Sequence, residues 1–138
     1  MRGNQVATEK TLERKTFGRG QLICKEGQAG QEAYVLQKGK VRVFKSVNGR
    51  RVIIGYVAER EVFGEMALLD DAPRMASAEA VEDCVCIVLK KENIDSMLDS
   101  APRGITVLMQ SLLRTARKMG EDLADVRARL VEYEPQDH

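Results

Sequence analysis

Glu65 and Arg74 lie nine residues apart in the segment FGEMALLDDAPRMAS, which occupies positions 63–77. The guanidinium of Arg74 offers a planar set of donors for two oxygens of one phosphate, and the carboxylate of Glu65 can accept hydrogen bonds from sugar hydroxyls. Between them, residues 65–69 can form one turn of helix whose free N–H groups attract an anion. Gly64 lets the backbone approach a bound group closely. The segment therefore predicts a site for a small sugar phosphate.

Each charged residue of this segment also has a purely structural explanation. Glu65 could cap its own helix, and Arg74 could form an ion pair with Asp70 or Asp71. For either residue alone the structural explanation is the commoner one. It does not explain why both occur on one short segment between predicted strands, so we interpret the pair as a ligand site.

Composition restricts the class of protein. The 138 residues carry 22 basic and 21 acidic side chains, and the net charge of +1 gives no overall field for binding nucleic acid or an anionic membrane. The length fits one domain. No apolar run approaches the roughly 18 residues that span a bilayer, and the polar start has no signal-peptide core, so we expect a cytoplasmic protein.

The residues that usually hold metals or perform catalysis are scarce. His138 is the only histidine, which argues against histidine-based catalysis and against a histidine metal cluster. Cys24, Cys84 and Cys86 are odd in number and lie in apolar, strand-like sequence, which favours buried free thiols. We therefore expect no metal site, no cofactor, no catalytic residue and no enzymatic activity.

The chemistry-bearing segment lies in a region of short β-rich runs. These runs are predicted at residues 21–25, 33–37, 40–45, 51–57, 76–80 and 84–89. Asn48-Gly49 is a strong signal for a two-residue hairpin. The predicted fold is α+β and mainly β, an antiparallel β-barrel or jelly roll over residues 17–89. Residues 1–16 are predicted as a tail or short helix, and residues 133–138 as a tail.

Two helices are predicted after the β-rich region, at residues 90–100 and at about 103–132. The second carries apolar residues at alternating spacings of four and three, a heptad seam formed by Ile105, Met109, Leu112, Ala116, Met119, Leu123, Val126 and Leu130. This seam either lies on the barrel or pairs with the same helix of a second copy. A length of about 40 Å at 1.5 Å per residue favours a homodimer through residues 104–131. Gly120 is either a flexible point or a small residue where two helices approach.

The segment 63–77 resembles the phosphate-binding cassette of the cyclic nucleotide-binding domains. The run from Phe63 to Leu68, the pair Pro73-Arg74 and the pair Ala76-Ser77 agree with the family pattern without a gap. Upstream, residues 17–27 resemble the first strand and turn of the family, and residues 33–43 resemble its next hairpin. Such domains occur in catabolite activator proteins, regulatory subunits of protein kinase A and cyclic-nucleotide-gated channels.

The resemblance implies a role for each cassette residue. Arg74 would pair with the exocyclic phosphate oxygens, and Glu65 with the backbone of Gly64 would hold the ribose 2′-hydroxyl. The amides of Ala67 and Met75 would complete the phosphate cradle. The full ligand set implied is Gly64, Glu65, Met66, Ala67, Arg74, Met75, Ala76 and Ser77.

The base is expected between apolar walls and a lid. Val43 and Ile54 are candidate walls by position, and Arg114 or Arg117 of the long helix would stack on the purine as a lid. The same two arginines would serve equally well as solvated flanks of a coiled coil. In related domains a hydroxyl-bearing residue directly after the arginine favours guanine. Met75 occupies that position here, which predicts cAMP over cGMP.

The resemblance implies a sensor. We expect ligand binding to shift the long helix and thereby a partner domain or an effector protein. In activator-like regulators a DNA-binding domain follows this helix, whereas eight residues follow Leu130, so we expect no direct contact with nucleic acid. The alternatives are a degenerate dimerisation module that has lost its ligand and the excised sensor domain of a larger transcription regulator or channel.

Overall fold

The structure, a computed structural model, describes residues 12–131. The strands are Arg14–Phe17 (β1), Leu22–Cys24 (β2), Glu32–Lys38 (β3), Val41–Val47 (β4), Arg50–Val57 (β5), Val62–Phe63 (β6), Ser77–Ala80 (β7) and Cys84–Lys90 (β8). The helices are Glu65–Asp70 (α1), Lys91–Ser100 (α2) and Arg103–Val131 (α3). The sequence predicts six of these strands and the two C-terminal helices to within two residues at each end.

Two strands differ from the sequence prediction. Arg14–Phe17 forms β1 and pairs with β8, although residues 14–16 are predicted as part of a tail or helix. The two-residue strand β6 is too short to produce a pattern in the sequence. Residues 1–11 of the predicted N-terminal segment and the predicted tail at 133–138 lie outside the described residues.

The strands form two four-stranded antiparallel sheets. Their orders are β1-β8-β3-β6 and β2-β7-β4-β5. Side chains alternate across each strand, so Cys84, Cys86 and Val88 of β8 are buried in one core with Leu36 of the neighbouring strand β3 and Val41 of the second sheet. Of the two predicted forms, the described residues match the double-sheet jelly roll, with helices following it.

A cluster of three aromatic rings leads from the core to the cassette. The Tyr34 ring stacks on Phe63 at a centroid distance of 5.3 Å and meets Phe17 edge-on at 6.0 Å. Phe63 belongs to β6, which pairs with β3 through Tyr34 and Val35. Because Gly64 follows directly, this packing fixes the point at which α1 begins.

Helix α3 packs on the β-sandwich through a face that the sequence does not predict. Leu113 and Ala124 are buried on it, the Gln110 amide donates to the carbonyl of Leu69, and Arg127 donates to the carbonyl of Ile53. The predicted heptad seam points elsewhere and is largely exposed, with Leu112 at 62% and Met119 at 65% exposure. No helix in residues 12–131 combines the length and apolar character required to cross a bilayer.

Arg117 ties α3 to the end of α1. Its Nε and Nη2 donate to the two carboxylate oxygens of Asp70 at 2.6 and 2.9 Å, and its Nη1 donates to the carbonyl of Pro73 at 3.0 Å. Burial alone would raise the pKa of Asp70, but hydrogen bonds from Arg117 and from the N–H of Ala72 outweigh it and leave the pKa below its usual value. The charged form of Asp70 is therefore stabilised in the folded chain.

Replacing Asp70 by Asn should lower the free energy of unfolding at pH 7 by about 1 kcal/mol, because the bidentate pair with Arg117 is lost. A depressed pKa contributes stability above the unfolded value of about 4, and that contribution disappears as the pH falls through the folded value. Urea unfolding should therefore show the difference between Asp70→Asn and wild type shrinking below about pH 4. The exposed Asp122→Asn is the control and should differ little from wild type. An Asp70→Asn deficit that stays constant down to pH 2 would contradict this assignment.

Candidate functional site

A cavity of about 300 Å³ lies between α1 and the sheet formed by β2, β7, β4 and β5. Its volume falls at the lower end of the range for small-molecule sites, about 300–1,000 Å³. The structure brings all eight predicted ligand residues together around it: Gly64, Glu65, Met66, Ala67, Arg74, Met75, Ala76 and Ser77. Contiguous sequence thus supplies one side of the cavity.

The backbone conformation at both ends of α1 places the cassette. Gly64 caps the helix in the left-handed region at φ 78°, and Asp71 ends it at φ 58°. A Cβ added to Gly64 would lie 2.8 Å from Nη1 of Arg74, so only glycine fits both the dihedral angle and the space. Gly64 therefore allows the guanidinium to lie against the start of the helix.

Arg74 is buried, at 8% exposure, and backbone carbonyls hold it in place. Nη2 donates to the carbonyl of Glu32 at 2.7 Å, and Nη1 donates to the carbonyl of Gly64 at 3.3 Å. The predicted structural alternatives do not occur, because Asp70 pairs with Arg117 and Asp71 with Lys91. Among residues 12–131 no carboxylate forms an ion pair with Arg74. The cavity therefore contains a buried cationic group that an anion would stabilise.

The loop before β3 holds the backbone of Arg74 through two hydrogen bonds. The Arg74 N–H donates to the carbonyl of Gln28 at 2.9 Å, and the N–H of Gly27 donates to the carbonyl of Arg74 at 2.8 Å. A Cβ on Gly30 would lie 2.6 Å from Cβ of Ala67 and 3.3 Å from Cζ of Arg74. Gly30 is thus a site-shaping residue that sequence reasoning missed, since a glycine between two strands also reads as an ordinary turn.

Lys45 and Glu26 hold the strand that leaves the cassette. Nζ of Lys45 donates to the carbonyl of Met75 at 2.8 Å and to a carboxylate oxygen of Glu26 at 3.0 Å, and the N–H of Glu26 donates to Oγ of Ser77 at 2.9 Å. In a trans peptide the carbonyl and the next N–H point in opposite directions. The contact with Lys45 therefore turns the N–H of Ala76, a residue of the cavity lining, away from Lys45.

Cys24 contributes a thiol to the cavity. It is half-buried, whereas Cys84 and Cys86 are buried as predicted, and all three are free. Burial raises the pKa of the Cys24 thiol, although the nearby Arg74 guanidinium partly lowers it, and burial raises the pKa of Cys86 to about 11. The thiols are therefore neutral at physiological pH. Among the described residues no cluster of metal-ligating side chains occurs.

The predicted base walls and lid fit less well. Val43 lines the cavity, but Ile54 does not, and in the described range no residue of α3 does. Arg117 is engaged with Asp70 and Pro73, and Arg114 is exposed on α3. In this structure neither arginine covers the cavity, because Arg117 is held by Asp70 and Arg114 is exposed, and their role as a lid stays a prediction. The apolar wall that sequence reasoning missed comes from β5, β6 and β7, through Val57, Val62, Phe63 and Ala78.

Comparison with known proteins supplies the family. A family model described as "Cyclic nucleotide-binding domain" matches residues 14–101. The Cyclic AMP receptor protein of Thermus thermophilus is 32% identical over 124 residues, which cover 89% of this chain and 55% of that protein. This chain therefore spans about half the length of that relative.

Solved structures agree with this match. The cAMP-bound form of the EAL enzyme Bd1971 superposes with a TM-score of 0.76 at 29% identity, over 87% of this chain and 32% of that one. Its cGMP-bound form superposes with a TM-score of 0.73 at 31% identity, over 76% and 28%. Since the family model covers more than half of the chain and falls on the strands and the cassette that enclose the cavity, the chain belongs to the cyclic nucleotide-binding domain family.

Proposed function

We propose that this chain is a regulatory module that binds cAMP in preference to cGMP and transmits binding to α3. The observation that carries the proposal is the Arg74 guanidinium, which is buried beside a cavity without an ion-pair partner in the described residues and has Glu65 on the same cavity. A phosphate would neutralise the Arg74 guanidinium, and a neighbouring ribose hydroxyl would donate a hydrogen bond to the Glu65 carboxylate. Binding, rather than catalysis, is the role that this arrangement supports.

The lining residues suggest how the nucleotide lies. The phosphate would be held by Arg74 and by the backbone N–H groups of Ala67 and Met75, and the ribose by Glu65 and the backbone of Gly64. The purine would then extend toward the apolar strands, where Val43 and Val57 line the cavity. The three parts of the ligand thus meet charged, polar and apolar surfaces in the order in which they are joined.

The preference for cAMP rests on Met75. Its side chain has no hydroxyl to accept a hydrogen bond from the guanine amino group, and Oγ of the nearby Ser77 already accepts one from the N–H of Glu26. The similar EAL enzyme was solved with each nucleotide, so the fold itself admits both. The discrimination that we propose therefore depends on the side chains of this chain.

Transmission to α3 is supported by direct contacts. Arg117 binds Asp70 and the carbonyl of Pro73, and Gln110 binds the carbonyl of Leu69, so the end of α1 and the residues before Arg74 are attached to the helix. A ligand that draws the cassette inward would move these contacts. The resulting shift is limited to the difference in affinity of the ligand for the two positions, typically about 1–3 kcal/mol.

We also propose a homodimer through the exposed heptad seam of α3. Eight of the twelve large apolar side chains that are exposed in residues 12–131 lie on this helix. The face toward the β-sandwich is already occupied by Leu113 and Ala124, so residues 12–131 leave most of the seam uncovered. A second copy of the same helix matches its spacing. We further propose that an effector protein binds this dimer and responds to the position of its helices.

Arg74→Ala should weaken cAMP binding by about 100-fold or more, because charge-assisted hydrogen bonds to the phosphate are lost. Calorimetric titration with cAMP and cGMP measures this, and thermal unfolding with and without nucleotide checks it, since a ligand of the folded state raises its stability. Arg50→Ala, at the exposed start of β5 and outside the cavity lining, is the matched control. Arg74→Ala that folds and binds as wild type would remove Arg74 from the site, and a wild type that binds neither nucleotide would favour the degenerate module.

Glu65→Gln should reduce cAMP affinity about tenfold while leaving 2′-deoxy-cAMP almost unaffected, because the lost hydrogen bond is the one to the 2′-hydroxyl. The difference between the two ligands, measured by calorimetry in wild type and variant, isolates that contact. Glu61→Gln is the control, since this carboxylate lines the same cavity but accepts the N–H of Ala58. An unchanged ratio of the two affinities in Glu65→Gln would contradict the proposed role.

Leu112→Glu should convert the protein from dimer to monomer, because it introduces a charge into the centre of the apolar seam. Sedimentation velocity over a range of concentrations measures the change. Arg114→Glu places the same side chain two residues away, off the seam, and should remain dimeric. A wild-type protein that sediments as a monomer at high concentration would refute the dimer without affecting the ligand site.

A further inference from the structure

Met75 and Gly120 form a contact between the cassette and α3. Met75 lines the cavity directly after the phosphate-facing Arg74, and its side chain ends at the helix. A Cβ added to Gly120 would lie 2.6 Å from Sδ and 2.7 Å from Cε of Met75. These distances are shorter than van der Waals contact allows, so the thioether occupies a notch that exists only because residue 120 is glycine.

We propose that Gly120 determines nucleotide affinity from outside the cavity, by giving the Met75 side chain a position away from the ligand. The inference rests on the proposed function. It assigns a role to a glycine that costs its helix about 1 kcal/mol relative to alanine. It also explains how a long side chain is accommodated at the residue next to the phosphate.

The hydrogen bonds around Met75 and Gly120 indicate which group moves when a side chain fills the notch. The Met75 backbone is held by Lys45 at its carbonyl and by the neighbouring Arg74, whose N–H and carbonyl both bond to the loop before β3. Helix α3 is held one turn away by the three hydrogen bonds of Arg117. The flexible part of the contact is therefore the Met75 side chain, which has three rotatable bonds.

The cavity offers space to the displaced side chain, because Met75 belongs to its lining. One side of Met75 faces α3, which an alanine at residue 120 would fill, and the other side lines the site. A thioether turned toward that side would occupy volume beside Arg74 and Ala76, where the phosphate and ribose are proposed to lie. Filling the notch should therefore compete with the nucleotide.

Four variants test this inference by calorimetric titration of cAMP: Gly120→Ala, Met75→Ala, the double variant and Gly104→Ala. Gly120→Ala should bind at least about fivefold more weakly than wild type. In the Met75→Ala background, the same change should have no effect on affinity, because no thioether is left to displace. Gly104 lies in the same helix with no atom within 4 Å of an added Cβ, so Gly104→Ala controls for the glycine-to-alanine change itself.

Thermal unfolding without nucleotide tests the contact independently of the ligand. Gly120→Ala should raise the melting temperature more in the Met75→Ala background than in the wild-type background, because the helix gains alanine without a clash. Wild-type affinity in Gly120→Ala, or weakened binding that persists in the double variant, would overturn the inference and leave the proposed function intact. A wild-type protein that binds no cyclic nucleotide would overturn both.

Discussion

The buried guanidinium of Arg74 is the constraint around which the site is built. Backbone carbonyls of Glu32 and Gly64 accept its hydrogen bonds, but carbonyl dipoles do not neutralise a charge, and no carboxylate among residues 12–131 does so. Burial of an unneutralised charge is costly unless a partner compensates it. Gly30 and Gly64 provide the room for the group, because a side chain at either position would collide with its neighbours. An anionic ligand that neutralises this charge should therefore stabilise the folded protein.

The same cassette is attached to α3 through polar groups, and this explains the two faces of the helix. Gln110, Arg117 and Arg127 donate to carbonyls and to one carboxylate of the β-sandwich and the cassette, and Leu113 and Ala124 are buried among them. Hydrogen bonds fix the position of α3 more narrowly than an apolar surface would, since they require specific distances and angles. The apolar seam is left exposed as a consequence.

The sequence predicts those features that depend on neighbouring residues. The cassette is contiguous, so the eight residues predicted to bind the ligand line one cavity, and six of the eight strands are recognised from their β-rich sequence. It fails where the structure joins distant segments: Lys45 reaches Met75, and Gly30 faces Ala67. On α3 the sequence indicates only the apolar seam as a contact surface, because a helix face rich in charged residues is expected to be solvated. For Arg117 the opposite holds, since Asp70 makes its burial favourable.

The two faces of α3 together suggest how a bound nucleotide would be sensed. One face contacts the cassette, through Arg117 and through the notch at Gly120, and the other presents the heptad seam, six of whose apolar side chains are exposed. A continuous helix of 29 residues moves largely as one body, so a shift at the first face displaces the second. In the proposed dimer this displacement changes how two seams meet. A single helix would then connect the ligand site, through its polar contacts with the cassette, to the proposed dimer surface on its apolar seam.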